Sequence, residues 1–270
     1  MIDLHSHILP GIDDGAPTLA VSLEMARQAV DDGIKIMACT PHIYPGLYEN
    51  TASSINAARE VLQAELCDHD IPLHLVIGAD VHLVPGLLDE VRAGRVPTIN
   101  QTRYLLLEPS HHVAPPRFEE AVFQLIAAGY TPVITHPERL TWIETHHDIF
   151  VSMISQGAWM QVTAGALTGV FGTRAKYWAE RMVGEGHAHI LASDAHSSSR
   201  RRPCLSEGLA VAERLLGKAE AAHLVSARPQ SILDDLSPEL AAPLPHRATQ
   251  RRGLISRLLN RRGSSAHPFS

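Results

Sequence analysis

Residues 1–15, MIDLHSHILPGIDDG, determine how the rest of the chain is interpreted. His5 and His7 are separated by one residue, so on an extended strand both side chains project to the same face. A Pro-Gly pair then ends the strand, and Asp13 and Asp14 follow on a turn. Imidazole and carboxylate groups brought together in this way predict part of a metal site, whose other ligands must come from elsewhere in the chain.

The apolar residues that follow alternate between the periodicities of helices and strands. Residues 17–32 and 51–69 have the spacing of amphipathic helices. In addition to the opening strand, we predict six strands at residues 34–40, 73–79, 104–107, 131–135, 159–163 and 188–192. Seven strands separated by helices indicate parallel βαβ units, which either a closed barrel or a doubly wound sheet would satisfy.

The position of the polar residues favours the barrel. They lie at or just after the carboxyl ends of the predicted strands: His5, His7, His42, Asp80, Glu108, His136, Asp194 and His196. In a barrel these ends converge on one mouth, whereas an open sheet would spread them along a ridge. We therefore expect an α/β fold, a distorted (β/α)7 TIM-like barrel, with its active site at the C-terminal ends of the strands.

Composition excludes several classes of protein. The 270 residues are 45% hydrophobic, enough for one large catalytic domain with a buried core. The three cysteines form no CxxC pair, and none has an arginine six positions later, which a cysteine-based phosphatase would need. A net charge of −6 provides no general attraction to nucleic acid, so no nucleic-acid partner is expected.

The N-terminus and an uncharged internal stretch both concern the cellular location. The first residues lack the basic start and apolar run of a secretory signal, which predicts a cytoplasmic protein. Residues 149–173 carry no charge, but glutamines, serines, threonines and four glycines interrupt them. We interpret them as a helix end, a strand and a loop instead of a membrane span.

The charge is unevenly distributed along the chain. Residues 1–239 contain 17 basic and 29 acidic groups, a balance of −12, whereas residues 240–270 contain six arginines and no acid. We therefore divide the chain into a catalytic domain at 1–240 and a basic, flexible tail at 241–270. Residues 251–262, RRGLISRLLNRR, form a short basic amphipathic segment. Three interpretations remain open: a solvated tail, contact with an acidic partner, or peripheral contact with the anionic inner membrane surface.

The ordered set of polar motifs resembles one known family. The motifs are His5-Ser-His7 with Asp14, Thr-Pro-His42, Gly-Ala-Asp80, Leu-Glu108, Thr-His136-Pro-Glu-Arg139 and Ser-Asp194-Ala-His196. Together they resemble the PHP superfamily of metal-dependent phosphoesterases, most closely its bacterial protein-tyrosine phosphatase branch. The similarity covers about residues 1–235, and LHSHILPGIDDG and THPER are its most specific parts.

This resemblance implies a PHP fold with two or three divalent metal ions, Mn²⁺ foremost and Fe, Co²⁺ or Zn²⁺ as alternatives. The implied ligands are His5, His7 and Asp194 for the first ion, Glu108 and His136 for the second, Asp14, His42 and His196 for the third, and Asp80 as the bridge between the first two. The family usually has Glu at this bridge, so the side chain here is one methylene shorter.

Two arginines are candidates for catalysis. Arg139 would hold a phosphate oxygen, because a guanidinium group donates two parallel hydrogen bonds. The alternative is a surface ion pair with Glu138 or Glu144. In the cluster at 200–202, the spacing makes Arg201 the second expected phosphate contact.

Three further histidines are open to two interpretations. His111 and His112 follow Glu108 closely and either donate a proton to the leaving group or are loop residues. His82, two residues after Asp80, either supplements that shorter bridge or belongs to a loop.

The implied function is hydrolysis of phosphotyrosine on protein. The expected substrate is the tyrosine-rich tail of a bacterial tyrosine kinase that controls capsule and exopolysaccharide synthesis, and a location at the inner face of the membrane would suit it. One alternative is a PHP phosphatase for a small phosphomonoester such as histidinol phosphate. Another is a non-catalytic metal-binding regulatory module. A homo-oligomer is also compatible with the resemblance.

Overall fold

Strands and helices alternate along residues 1–245, the part of the chain that the computed structural model describes. The strands are β1 Ile2–Asp3, β2 Ile36–Cys39, β3 His42–Ile43, β4 His74–Ile77, β5 Asp80–His82, β6 Tyr104–Glu108, β7 Thr131–Thr135, β8 Trp159–Thr163 and β9 Ile190–Ala192. The helices are α1 Leu19–Asp31, α2 Ala52–Asp68, α3 Leu87–Arg92, α4 Phe118–Ala127, α5 Ile143–Ser155, α6 Ala164–Thr168, α7 Gly172–Gly184, α8 Ser206–Leu216, α9 Lys218–His223 and α10 Ala227–Leu233.

All strand pairs in this region are parallel, and they form two sheets. The orders are β1-β2-β4 and β3-β5-β6-β7-β8-β9. β2 continues as β3, and β4 continues as β5, after short breaks in the hydrogen-bond ladder. At the second break, a Cβ on Gly78 would lie 2.9 Å from Thr40 Cγ2, so only glycine allows this close approach. Seven of the nine strands overlap the seven predicted segments, and β3 and β5 extend the second and third segments beyond their predicted ends at residues 40 and 79.

The end of the last strand segment returns to the first. Ser6 and Ala195 form a parallel bridge, and the backbone N–H of Asp194 donates to the carbonyl of His5 at 2.9 Å. The N–H of His7 donates to the carbonyl of Ala195 at 2.8 Å. These contacts complete a ring of seven parallel segments. The expected α/β barrel is confirmed, and its distortion lies at the split second and third segments and at this short closure.

The first strand is shorter than the sequence predicts. β1 contains only Ile2–Asp3, because a side chain replaces part of the regular ladder beyond it. The hydroxyl of Thr40 accepts the N–H of Ser6 at 2.9 Å and donates to its carbonyl at 3.1 Å. His5 and His7 therefore lie on irregular backbone, and not on the extended strand that the alternation suggested.

Alternate residues of the strands point into the barrel. At the amino-terminal half, strand residues and four residues from other segments (Leu4, Ile99, Ile232 and Ala241) form a buried apolar cluster. We call it the inner core: Ile2, Leu4, Ala38, Val76, Ile99, Tyr104, Leu106, Val133, Trp159, Ile190, Ile232 and Ala241. The intervening residues pack outward against the helices in a larger cluster. Because side chains alternate along a strand, the next inward position after Leu106 is Glu108, and the same step from Trp159 leads to Gln161. The polar end of the barrel is built in this way.

The uncharged stretch at 149–173 contains the end of α5, then β8 and α6. Within residues 1–245, no helix is both long and apolar enough to cross a bilayer. After residue 240 the chain still packs on the barrel: Ala241 is buried, and Arg228 donates to the carbonyl of Ala242 at 2.9 Å. The domain boundary at 240 stays a prediction, and the amphipathic segment at 251–262 lies outside the described residues.

Candidate metal centre

The nine predicted ligands meet at the carboxyl-terminal mouth of the barrel, and this set is here called the mouth. They come from the segment after β1 (His5, His7), the turn before α1 (Asp14), β3 (His42), β5 (Asp80), β6 (Glu108), and the residues after β7 (His136) and after β9 (Asp194, His196). Eight of them are buried or partly buried, and Asp14 is the most exposed, at 48% of its side chain.

His5, His7 and Asp194 form the tightest group. The Nε2 atoms of the two histidines are 3.2 Å apart, and each is 3.4 Å from Asp194 Oδ1. Two donor atoms that each lie about 2.1 Å from one ion are about 3 to 3.5 Å apart. The three side chains therefore have the spacing of ligands around a shared ion.

Asp80 lies between this group and the next. Its Oδ2 is 3.4 Å from His5 Nε2, 3.5 Å from His42 Nδ1 and 4.0 Å from His136 Nε2. The side chain is completely buried, and neither carboxylate oxygen has a hydrogen-bond partner among the described residues. An ionised carboxylate without donors is expensive to bury. A cation bound among these atoms would compensate that cost, so the donor set fits divalent metal ions.

The other two predicted groups adjoin Asp80. His136 Nε2 is 3.6 Å from Glu108 Oε1. Asp14 Oδ1 is 3.5 Å from His42 Nε2 and 3.3 Å from His196 Nε2. His42 Nδ1 also lies 3.5 Å from Glu108 Oε2, so the groups are contiguous and not three separate sites.

Two side chains orient the first pair of histidines. Gln161 Oε1 lies 3.0 Å from His5 Nδ1, and Asp13 Oδ2 lies 2.7 Å from His7 Nδ1. Both oxygens only accept hydrogen bonds, so they favour the tautomer with the proton on Nδ1 and leave Nε2 free to bind a cation. The sequence analysis did not identify Gln161. Its inward position on β8, two residues after Trp159, is the signal that could have found it.

Two ligand positions have an unusual backbone. His136 has φ 35° and Asp194 has φ 51°, both in the left-handed region that residues other than glycine seldom adopt. Each follows the end of a strand, β7 or β9. Such strain persists where the surrounding structure holds it, and it is common at functional sites.

The surroundings of the predicted ligands shift their pKa values in different directions. Burial would raise the pKa of Asp194, but His5, Arg139 and Arg201 lower it well below its usual value. Burial and the charge of Arg139 lower the pKa of His136, which keeps this imidazole neutral. Burial opposes a charge on His7, yet its bonds to Asp13 and Asp194 raise its pKa to about 10. Asp194 is therefore anionic and His136 neutral, as metal ligands must be, whereas His7 holds a proton between two carboxylates that a bound cation would displace from Nε2.

Both predicted arginines reach the mouth. Arg139 donates from Nη1 to Asp194 Oδ2, and Arg201 donates from Nη2 to the same oxygen at 2.5 Å. Arg200 is exposed, and Arg202 pairs with Glu207 at 2.5 Å, so Arg201 is the member of this cluster that faces the site.

The alternative partners of Arg139 are engaged elsewhere. Glu138 is buried and accepts the N–H of Thr163 at 2.9 Å, and Glu144 pairs with Arg174 at 3.3 Å. The surface ion pair considered for Arg139 is therefore absent among the described residues.

Phe171 supports both guanidinium groups. The Cζ atoms of Arg139 and Arg201 lie 4.4 Å and 5.7 Å from the centre of its ring. The negative face of an aromatic ring attracts a cation at such distances. The contacts of Phe171 with these arginines could not be predicted from the sequence, because they join residues that are far apart in the chain.

The three further histidines differ in position. His111 Nε2 lies 3.2 Å from Glu108 Oε1, at the edge of the mouth. His82 Nδ1 lies 3.6 Å from Glu108 Oε2, and its ring stacks on Tyr44 with 4.0 Å between centres. His112 is exposed. His111 and His82 thus extend the polar cluster, and His112 is a loop residue.

Comparisons with known proteins identify the family of the chain. Residues 1–234 match the sequence model of a family described as "Capsular polysaccharide synthesis, CpsB/CapC". The tyrosine-protein phosphatase YwqE of Bacillus subtilis is 38% identical over 219 residues, which cover 80% of this chain and 85% of that protein.

Solved structures include similar folds. One match comes from the crystal structures of YwqE from Bacillus subtilis and CpsB from Streptococcus pneumoniae, which are described as metal-dependent tyrosine phosphatases. Its TM-score is 0.84 at 34% identity, and the match covers 87% of this chain and 95% of that chain. Histidinol phosphate phosphatase from Lactococcus lactis matches with a TM-score of 0.53 at 13% identity, covering 81% of this chain and 94% of that chain. The second likeness concerns the fold alone.

Proposed function

The chain belongs to the CpsB/CapC family of capsular polysaccharide synthesis proteins, and on this basis we propose that it is a metal-dependent tyrosine-protein phosphatase. It hydrolyses phosphotyrosine on protein substrates. The observation that carries the proposal is Asp80, whose two buried oxygens lack hydrogen-bond donors and lie among histidines from three different strand ends.

We assign the ligands as the resemblance implies. The first ion would be held by His5, His7 and Asp194, the second by Glu108 and His136, the third by Asp14, His42 and His196, with Asp80 shared between the first two. The distances from Asp80 Oδ2 to His5 and His136 support this sharing despite the shorter side chain. We propose Mn²⁺ as the metal, as the resemblance implies. Mixed imidazole and carboxylate sites also accept other divalent ions.

Bound divalent ions supply positive charge that lowers the pKa of water from about 16 towards about 7 and offsets the charge of the phosphate. The chain's own residues supply orientation. Gln161 and Asp13 fix the ring positions of His5 and His7. The water nucleophile replaces a covalent phosphoenzyme, which is consistent with the lack of a cysteine motif for phosphate binding.

Arg139 and Arg201 bind the phosphate in this proposal. Both guanidinium groups converge on Asp194 Oδ2 at the rim of the mouth, which fixes their positions. The Arg201 side chain is 26% exposed, and its Nε has no hydrogen-bond partner among the described residues, so the guanidinium group has unused donor capacity. Phe171 limits the movement of both groups, so their ordering costs less entropy when substrate binds.

His111 is the best-placed proton donor to the leaving phenolate. Its Nε2 is within 3.2 Å of Glu108 and its ring centre lies 4.8 Å from that of His136. A positioned imidazole donates protons near neutral pH. The aryl oxide of phosphotyrosine leaves readily, so this contribution is the smallest part of the proposed mechanism.

We assign as substrate the tyrosine-rich tail of a bacterial tyrosine kinase that controls capsule or exopolysaccharide synthesis. The family description and the name of the Bacillus subtilis relative support a phosphotyrosine protein and a role in capsule synthesis. A cytoplasmic location, next to the inner face of the membrane, follows from that substrate. Contact of the basic tail with an acidic partner or with anionic lipid, and assembly into a homo-oligomer, remain predictions from the sequence.

The main alternative is a small phosphomonoester of the histidinol phosphate type. We compare turnover of a phosphotyrosyl peptide and of histidinol phosphate by the full chain with Mn²⁺. The proposal expects kcat/KM for the peptide to exceed that for histidinol phosphate by at least about a hundredfold, or about 2.7 kcal/mol in the barrier. The reverse preference would establish the alternative. A protein inactive on both, with its metal bound, would be the non-catalytic module.

A further inference from the structure

A second cluster of possible metal ligands lies outside the mouth. His147 is on α5, Glu185 caps the carboxyl end of α7, and His187 is on the connection from α7 to β9. One donor atom from each residue lies within 4.8 Å of the other two. None of these residues contributes to the mouth, and the family resemblance gives them no role.

The distances within this cluster have the spacing of a ligand set. Glu185 Oε2 is 3.8 Å from His147 Nε2 and 3.5 Å from His187 Nδ1. Hydrogen bonds between nitrogen and oxygen are about 2.7 to 3.2 Å long. The 3.8 Å separation of His147 from Glu185 is too long for one. Both separations are close to the spacing of two ligands that share one ion, and to the distances of 3.3 to 3.6 Å found in the mouth.

His147 provides independent support. This residue is 92% buried, since only 8% of its surface is exposed, and its Nε2 has no hydrogen-bond partner among the described residues. The atom faces Glu185, while Nδ1 lies 3.8 Å from Asp148 on the solvent side. Burial and the charge of Arg181 lower the pKa of His147, so its imidazole is neutral and able to bind a metal ion.

The surroundings leave one oxygen of Glu185 for an ion. Arg181 Nε donates to the other oxygen, Oε1, at 3.1 Å, and its guanidinium lies 4.9 Å from the ring centre of Trp178. A hydrogen bond to the distal oxygen of a ligating carboxylate is a common supporting contact at metal sites. Glu185 and His187 are 24% and 22% exposed, which leaves access for an ion and for a water ligand.

We propose that His147, Glu185 and His187 form a separate site for one divalent ion of the zinc type, with water in the fourth position. Two imidazoles and one carboxylate are a common ligand set for Zn²⁺, whereas Mg²⁺ and Ca²⁺ prefer oxygen ligands. The ion would join α5 to the connection that leads into β9, and so stabilise the helical layer around the barrel. Its role is structural, and phosphate hydrolysis does not depend on it.

The test measures zinc bound by the full chain. Wild-type protein, His147→Gln and Glu185→Gln are equilibrated with Zn²⁺ in a weak chelating buffer, and zinc per chain is determined by mass spectrometry. The control is His146→Gln, which changes a partly exposed neighbour on the same helix. Wild type and control should bind one equivalent more than the other two, in which affinity at this site falls at least about tenfold. Turnover of phosphotyrosyl peptide should be the same in all four.

Thermal unfolding separates loss of the ion from loss of the fold. In chelator, all variants should unfold close to wild type, and Zn²⁺ should raise Tm less in His147→Gln and Glu185→Gln than in wild type and the control. If His147→Gln does not fold, His187→Gln provides the same comparison at a partly exposed position. Equal zinc content in wild type and the folded variants would overturn the proposal.

Discussion

The inner core and the mouth occupy the two halves of one barrel, often on the same strand, and they use burial in opposite ways. Leu106 and Glu108 are two residues apart on β6, and both are at least 92% buried. In the inner core, removal of apolar surface from water stabilises the fold. In the mouth, burial of carboxylates such as Asp80 destabilises the chain until a cation binds. Stability and function can therefore be altered separately along a single strand.

The largest expected effect is on stability. Leu106→Ala leaves a cavity in the inner core, where the side chain is completely buried. We expect the free energy of unfolding to fall by about 2 to 5 kcal/mol. Well below the unfolding temperature, turnover of phosphotyrosyl peptide should stay within about twofold of wild type, which is less than about 0.5 kcal/mol in the barrier. A large loss of turnover in the folded variant would show that the two halves are not separable.

Asp80→Asn should have the opposite profile. The amide keeps the shape but loses the charge, so turnover should fall at least about a hundredfold, or about 2.7 kcal/mol. In chelator the variant should be at least as stable as wild type, because a buried carboxylate that lacks hydrogen-bond donors is gone. The control is Asp68→Asn at the exposed end of α2. Lower stability in chelator, with turnover retained, would contradict the role assigned to this carboxylate.

Gln161→Leu tests whether the contact of Gln161 with His5 supports metal binding in the mouth. The change removes the acceptor for His5 Nδ1, and loss of such a supporting contact lowers metal affinity by about 10- to 100-fold. Competition with a fluorescent chelator measures this change in Mn²⁺ affinity. Gln124→Leu on the exposed face of α4 is the matched control. Equal Mn²⁺ affinity in both variants would show that Gln161 does not support metal binding.

Arg139→Ala should have the smallest effect of the four. We expect turnover to fall at least about tenfold, or about 1.4 kcal/mol, at unchanged metal content. Arg202→Ala is the control, since Arg202 pairs with Glu207 away from the mouth. If both variants lose turnover equally, or neither does, Arg139 does not bind the phosphate.

The parts that sequence analysis could predict are those with periodic or local signals. Seven strand segments were predictable from apolar runs, and eight of the nine mouth residues from their positions at strand ends, because parallel strands bring those ends together. Asp14 lies on a turn instead, and the family resemblance identified it. The breaks in the second and third segments were not predictable, since they depend on Gly78 approaching Thr40 from a different strand. The short first strand has the same origin, because the Thr40 hydroxyl replaces ladder bonds to Ser6.

Contacts between distant residues account for what the sequence analysis missed at the site. Gln161 contacts a histidine 156 positions earlier, and no local motif marks a glutamine as an orienting residue. Phe171 contacts two arginines that are far apart in the chain. Among the three arginines at 200–202, the sequence offered only spacing as a reason to choose Arg201. Its orientation toward the mouth depends on the backbone of that loop, where the N–H of His196 donates to the Arg201 carbonyl at 2.8 Å.

Removal and return of the metal ions show whether phosphotyrosine hydrolysis by the full chain depends on them. Protein stripped by a strong chelator and dialysed is assayed on a phosphotyrosyl peptide before and after Mn²⁺ is added. We expect removal of the metal ions to lower turnover at least about a hundredfold, and added Mn²⁺ to restore it. Full turnover in stripped protein of verified low metal content would contradict a metal-dependent phosphatase centred on Asp80.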